Sequence, residues 1–268
     1  MSGICVVRGG GDLATGVIWR LHRCGIRVVV TELAQPLAIR RTVAFSSAIT
    51  EGSISVEGLE AIRVDDAASA LLAGTRNRIP VLVDPELSVL SDLADVSTVV
   101  DARLAKSAGD TSMSLAPLVI ALGPGFTAGD QCHAVVETNR GHRLGRVIWN
   151  GAAEPNTGRP APIDGHADDR VIRATQHGTI TWRYNIGDLV SGGDVLGVIS
   201  HDGGNDNVLA PFTGVLRGAI APGTTVHEGL KIADVDPRCD PSACYTISDK
   251  ALAIGGGVVE AVLARRAP

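Results

Sequence analysis

A short apolar run that breaks directly into three consecutive glycines is the feature that most constrains this chain. Ile4-Cys5-Val6-Val7 reads as a buried strand, and Gly9-Gly10-Gly11-Asp12-Leu13-Ala14-Thr15-Gly16 follows it. Leu13, Val17, Ile18 and Leu21 then recur with a helical period, and Gly25 is a natural stop. Val28–Thr31 supplies the next strand, so the N-terminal stretch reads as a βα unit feeding a parallel sheet. Gly9, Gly11 and Ala14 fit the spacing G-x-G-x-x-[G/A]. Glycines at that spacing allow a tight turn and let backbone amides approach a pyrophosphate at a helix N-terminus. Gly10 and Asp12 share the loop, and Thr15 in the first helical turn can offer a hydroxyl to a phosphate. Glu32 ends the second strand about 20 residues on, where an acid accepts hydrogen bonds from a ribose diol. The competing reading is a glycine-rich turn with no ligand.

Further along, Pro36 is expected to open a helix reaching about Ala48, Val56–Val64 alternates, and Asp65–Ala73 reads as a short helix. Strands are expected at Ile79–Val83, Thr98–Val100 and Leu118–Leu122. In open parallel sheets ligands lie beyond the carboxyl ends of the strands. Those ends carry Glu32, then Asp101 with Arg103 and Lys106, then Gly123-Pro124-Gly125. Lys106 draws notice because the chain has three lysines against 21 arginines. Gly123 and Gly125 can form a second backbone nest for an anion, or a plain tight turn. Beyond them come short strands, a loop rich in Pro and Gly from Asn150 to Gly165, an all-β stretch from Val171 to Val235, and a helical tail interrupted by Gly255-Gly256-Gly257. The glycines in that tail cost stability unless the helix packs very close to a neighbour. The expected organisation is a nucleotide-binding domain over 1–125, a connecting β segment over 126–170, an all-β domain over 171–238 and a C-terminal helical segment over 239–268 that packs on the first domain.

Composition narrows the function classes. A net charge of −5 with 3% aromatic residues argues against a nucleic-acid partner. No apolar run reaches the roughly 20 residues of a membrane span. The N-terminus lacks a charged and apolar leader, and five cysteines do not read as a disulfide framework, so a cytoplasmic location is expected. No P-loop, G-x-S-x-G or H-E-x-x-H motif occurs. Cys239 and Cys244 lack a second pair, so no metal site is expected. A small nucleotide-like ligand is the expected partner, and self-association into a homo-oligomer stays open.

Several long stretches resemble the selenium-dependent molybdenum hydroxylase system proteins, accessory proteins related to the xanthine dehydrogenase maturation factors. They are Gly9–Gly16, Thr31–Leu33 with Gln35–Phe45, Leu122–Gly129, Val136–Thr138 with Arg140–His142, Asp234–Arg238 and Ile247–Gly257. The resemblance implies a Rossmann-like domain and work on a molybdenum hydroxylase apo-enzyme, such as cofactor insertion or delivery of the terminal sulfur or selenium ligand. The ligand of the glycine loop is then NAD(P) or a molybdopterin-type cofactor. An NAD(P)-dependent oxidoreductase and a nucleotide-sensing module are the alternatives, although no Tyr-Lys or His-Asp acid/base pairing stands out. Separately, Gly178–Val198, Ala210–Val215 and Gly223–Ile232 are similar to a biotinyl/lipoyl-type barrel-sandwich hybrid. Its hairpin Ser200–Asn207 holds no lysine to acylate, and Lys231 lies in the closing strand, so a swinging-arm carrier is excluded. The expected fold class is therefore α/β: a Rossmann-like parallel sheet, a non-acylated barrel-sandwich hybrid and a C-terminal helix.

Overall fold

The computed structural model describes residues 3–75, 77–105, 109–156, 158 and 163–265. The chain divides into two compact units, one of Met1–Pro36, Ala44–Asn156 and Ile247–Pro268, the other of Leu37–Val43 and Thr157–Thr246. The first unit contains β1 (Ile4–Arg8), α1 (Asp12–Arg23), β2 (Arg27–Glu32), α2 (Ala48–Glu51), β3 (Ser53–Val56), β4 (Leu59–Val64), α3 (Ala67–Thr75) and β5 (Ile79–Val83). It continues through β6 (Val96–Asp101), β7 (Leu118–Leu122), β8 (Thr127–Ala128), β9 (Ala134–Val136), β10 (Val147–Ile148), β11 (Gly151–Ala152) and α4 (Asp249–Ala264). The second unit holds β12 (Val171–Arg173), β13 (Gly178–Trp182), β14 (Leu189–Val190), β15 (Val195–His201), β16 (Gly204–Leu209), β17 (Gly214–Ala219), β18 (Thr225–Val226) and β19 (Lys231–Asp236).

Nine strands of the first unit form one sheet in the order β10-β9-β7-β6-β1-β2-β5-β4-β3. The middle strands are buried on both faces, as their unbroken Val/Ile runs require. Alternate residues such as Ile4, Val6, Val99 and Val119 pack with Ala70 and Ala73 of α3. The sheet is mixed: β3 pairs antiparallel with β4, and β10 pairs antiparallel with β9.

This corrects the expected Rossmann-like parallel sheet. Such a fold carries a full helix in its crossovers; among the described residues α1 joins β1 to β2 and α3 joins β4 to β5, β2 and β3 have only the four-residue α2 between them, and no α-helix lies between β5 and β6 or β6 and β7. The helix expected from Pro36 to Ala48 is absent: two 3-10 turns at Arg41–Val43 and Phe45–Ser47 and the four-residue α2 stand there. The reason is that Leu37–Val43 leaves the first unit to join the second.

The barrel-sandwich expectation is corrected as well. The second unit consists of two four-stranded antiparallel sheets, β12-β19-β17-β14 and β16-β15-β13-β18. It is not a self-contained module, because the distant segment Leu37–Val43 builds part of it. The Ala219 amide donates to the Ile39 carbonyl at 2.8 Å, and Arg41 Nε donates to the Ala219 carbonyl at 2.8 Å. Ser200–Asn207 is the expected hairpin, with Ser200 paired to Asn205 and His201 to Gly204.

Helix α4 packs along α1 through glycines. A Cβ on Gly16 would stand 2.5 Å from the Ala251 carbonyl oxygen, and one on Gly255 would stand 2.5 Å from the Gly16 carbonyl oxygen. Because Gly255 also meets Arg20, the two helices advance in the same direction. A Cβ on Gly257 would fall onto the Gly145 carbonyl oxygen, whereas Gly256 meets nothing within 4 Å. Gly255→Ala and Gly257→Ala should therefore each destabilise the chain, by about 1–3 kcal/mol of overpacking. Gly256→Ala should stabilise it by about 0.5–1 kcal/mol through helix propensity. Urea unfolding of the three variants checks this, and equal effects at all three positions would contradict the close contact.

Candidate functional site

The glycine loop leaves β1 at the carboxyl edge of the sheet, and two of its three glycines are explained by the chain's own packing. Gly9 has φ +97° and lies against Ala102 and Arg103, with its amide donating to the Thr31 carbonyl. A Cβ on Gly10 would stand 2.9 Å from the Ser46 nitrogen. Gly11 differs, for a Cβ there would meet nothing within 4 Å. It occupies the N-cap of α1 in extended conformation with no side chain to cap the helix. The first-turn amides of a helix have no intrahelical acceptor, so this end of α1 suits an anion.

Ala14 is buried. Thr15 is committed to the fold: its hydroxyl donates to the Gly11 carbonyl at 3.0 Å and accepts from the Phe45 amide at 2.9 Å. Glu32 closes the loop, with Oε2 accepting from the Gly10 amide and Oε1 from the Leu33 amide, each at 2.8 Å. Each carboxylate oxygen keeps a lone pair beyond those bonds.

Asp101 and Arg103 join a closed ion-pair network. Arg103 forks onto Asp101 and also reaches Asp110 at 3.0 Å. The buried Arg8 forks onto Asp110 at 2.7 and 2.6 Å and donates to the Pro85 carbonyl. Burial works against the Arg103 charge, yet Asp101 and Asp110 hold it above the usual guanidinium range. The hydrogen bond from Arg8 holds Asp110 well below the usual carboxylate range. Two arginines and two aspartates neutralise one another here. Lys106 lies outside the described residues. Gly123 (φ +76°) and Gly125 (φ +101°) turn the chain after β7, and a Cβ on Gly123 would strike Thr138 Oγ1 at 2.5 Å.

Sequence reasoning passed over the residues on the α4 side of this edge. Glu137 follows β9, is buried, and accepts from the Asn139 amide at 2.7 Å and the Glu154 amide at 2.8 Å. It lines a pocket of about 410 Å³ with Arg143, Arg146, Ile148 and Glu154. Lys250 stands in the first turn of α4 behind the Ser248 cap. Burial lowers its pKa and Arg140 lowers it further, against the opposing pull of Asp12, Glu137 and Asp249. No hydrogen bond or ion pair joins Lys250 to another described residue, whereas its neighbour Asp249 pairs with Arg140 at 2.8 Å. The available signal was the rarity of lysine, which was spent on Lys106. Among the described residues, no three His, Cys, Asp or Glu side chains are grouped to hold a metal ion, and no helix is long and apolar enough to cross a membrane.

Lys250 is held in the fold at a cost. With its folded pKa below its unfolded value, the unfolded chain binds the proton more tightly, so stability rises as pH climbs through the folded pKa. Lys250→Met should therefore raise Tm at pH 7, and the gain should vanish towards pH 10.5. Calorimetry across that range tests the sign, and a lower Tm for the variant at pH 7 would refute it.

No family model matches the chain. It is 47% identical over 260 residues to an uncharacterized protein, YqeB, of Escherichia coli strain K12. That alignment covers 97% of this chain and 47% of the relative, so the chain spans about half the length of the curated relative it matches. Among solved structures it is similar to the apo form of the ectoine utilization protein EutE (DoeB) from Ruegeria pomeroyi, at 13% identity and a TM-score of 0.28 over 87% of this chain and 86% of that one. A succinylglutamate desuccinylase/aspartoacylase from Rhodobacter sphaeroides matches at 15% identity and a TM-score of 0.28, over 87% and 85%. At such scores these structures lend this chain neither a fold nor an activity. The expected kinship with molybdenum hydroxylase accessory proteins does not hold: the relative that the chain matches in sequence is an uncharacterized protein and not one of that family. The maturation function and the NAD(P)-dependent oxidoreductase fall with it.

Proposed function

We propose that the carboxyl edge of the nine-stranded sheet binds a phosphate-bearing small molecule of cofactor size. Its phosphate is received by the first turn of α1 at Gly11, and the rest of the molecule extends past Lys250 towards the Glu137 pocket. The observation that carries this reading is the open approach at Gly11, where the neighbouring glycines are filled by the protein itself. Lys250 supports it in a second way. A lysine that sacrifices stability without an ion pair is characteristic of a binding site. Asp12 and Glu137 both act on Lys250, so the α1 end and the pocket belong to one electrostatic neighbourhood. The pocket volume lies in the range of small-molecule sites, and Arg143 and Arg146 offer it donors for a second acidic group. A dinucleotide such as NAD(P) and a molybdopterin-type pterin present the same phosphate chemistry to these amides, and Glu32 retains capacity for a hydroxyl.

Titration calorimetry with NAD, NADP, ATP and molybdopterin tests the proposal. One of them should bind, Gly11→Val should abolish that binding with the fold intact, and Lys250→Met should weaken it roughly 30- to 150-fold, as expected for a lost charged contact. Failure of all four ligands with the parent protein, or binding unaffected by both variants, would overturn it.

A further inference from the structure

The chain holds three lysines, Lys106, Lys231 and Lys250, and Lys250 is set apart from an ordinary surface lysine by what surrounds it. An ammonium is stabilised by water, by carboxylates and by the C-terminal end of a helix. Lys250 has given up much of the first, for it is half-buried. It also stands at the wrong end of its helix, in the first turn of α4, where the partial charge is positive. No hydrogen bond or ion pair joins it to another described residue. The carboxylate beside it in sequence, Asp249, is engaged by the Arg140 fork at 2.8 and 3.0 Å.

A lysine becomes a nucleophile when its amine is relieved of the proton, and desolvation and a neighbouring cation both do this. Both act on Lys250. Burial is the larger cause of its lowered pKa and Arg140 adds to it, against the pull of Asp12, Glu137 and Asp249. The position of the amine matters as much. Glu137, which acts on Lys250, also lines the pocket of about 410 Å³, and Asp12, which acts on it too, opens α1 directly after Gly11. The amine therefore shares one neighbourhood with a cavity of ligand size and with a helix end that suits a phosphate. None of the described residues that line the pocket is Cys, Ser, Thr or His, so covalent chemistry there falls to Lys250.

We propose that the Lys250 amine forms an imine with the carbonyl group of a phosphate-bearing aldehyde or ketone, whose phosphate is held at the first turn of α1. The Lys250 chemistry rests on the phosphate site proposed above and adds the reactive group of its ligand. The Nζ lone pair attacks the carbonyl carbon, the C=O π pair moves to oxygen, and one nitrogen proton passes to that oxygen to give a carbinolamine. The C–O bond then breaks, the hydroxyl takes up the second nitrogen proton and leaves as water, and the C=N bond forms. One water is released, and nothing is oxidised or reduced.

The experiment exposes the full chain to pyridoxal phosphate, an aldehyde that carries a phosphate, reduces any imine with borohydride and maps the adduct by peptide mass spectrometry. Lys106 and Lys231 serve as internal controls. The adduct should form on Lys250 at concentrations that leave the two controls unmodified. Pyridoxal, the same aldehyde without the phosphate, should need a roughly 30-fold higher concentration to label Lys250, the loss expected for a charged contact. Gly11→Val should abolish that advantage while Lys250 still reacts with both aldehydes. Lys250→Arg, which keeps the charge, should bind pyridoxal phosphate and carry no adduct after reduction. Labelling of Lys250 no faster than of Lys106 and Lys231 overturns the inference; if pyridoxal phosphate still binds and Gly11→Val removes that binding, the phosphate site stands without it. Selective labelling of Lys250 by both aldehydes at the same concentration overturns it from the other side, because the amine then reacts without help from a phosphate site.

Discussion

The contact between α1 and α4 is the constraint on which the first unit depends. Gly16 and Gly255 bring two helix backbones to a separation that no side chain tolerates, and Gly257 does the same against the Gly145 turn. The contact fixes the direction and register of α4. With both helices advancing the same way, their N-termini emerge together at the carboxyl edge, where the glycine loop, Asp12, Glu137 and Lys250 meet. The partial positive charge of each helix end adds at that edge. A glycine triplet that reads as a weakness in a helix is what places Lys250.

The two ends of that edge are built on opposite principles. On the Arg8 side, charges close on one another: Arg8, Asp101, Arg103 and Asp110 form a neutral network with little left for a ligand. On the α4 side, Lys250 is half-buried, depressed in pKa and without a hydrogen bond or ion pair among the described residues, while Glu137 is fastened by two amides. Satisfied networks stiffen a fold, and groups that lower stability point to a ligand.

Local patterns in the sequence were legible where they rest on short-range physics. The run Ile4–Val7, the periodicity of Leu13, Val17, Ile18 and Leu21, the stop at Gly25 and the strand Leu118–Leu122 all correspond to observed elements. The assembly was not legible. Pro36 followed by Leu37-Ala38-Ile39-Arg40 carries a helix-start signal, but pairing of Ile39 with Ala219 overrides it, and no local rule reports a partner 180 residues away. Glu32 illustrates a similar limit, since the same carboxylate that would accept from a ribose also fits the Gly10 amide. Lys250 lies within the stretch Ile247–Gly257 but was not singled out, because no strand end marks it and its significance comes from Asp12 and Glu137, which reach it only through the fold.

The central claim is that the first turn of α1 receives a phosphate beside Lys250. Backbone amide resonances of the isotopically labelled chain, followed during titration with the phosphate-bearing ligand, test it most directly. The account predicts saturable shifts concentrated at Gly11, Asp12 and Leu13, with a matching change at the Lys250 ammonium. Shifts that saturate elsewhere and leave these amides unmoved would contradict it.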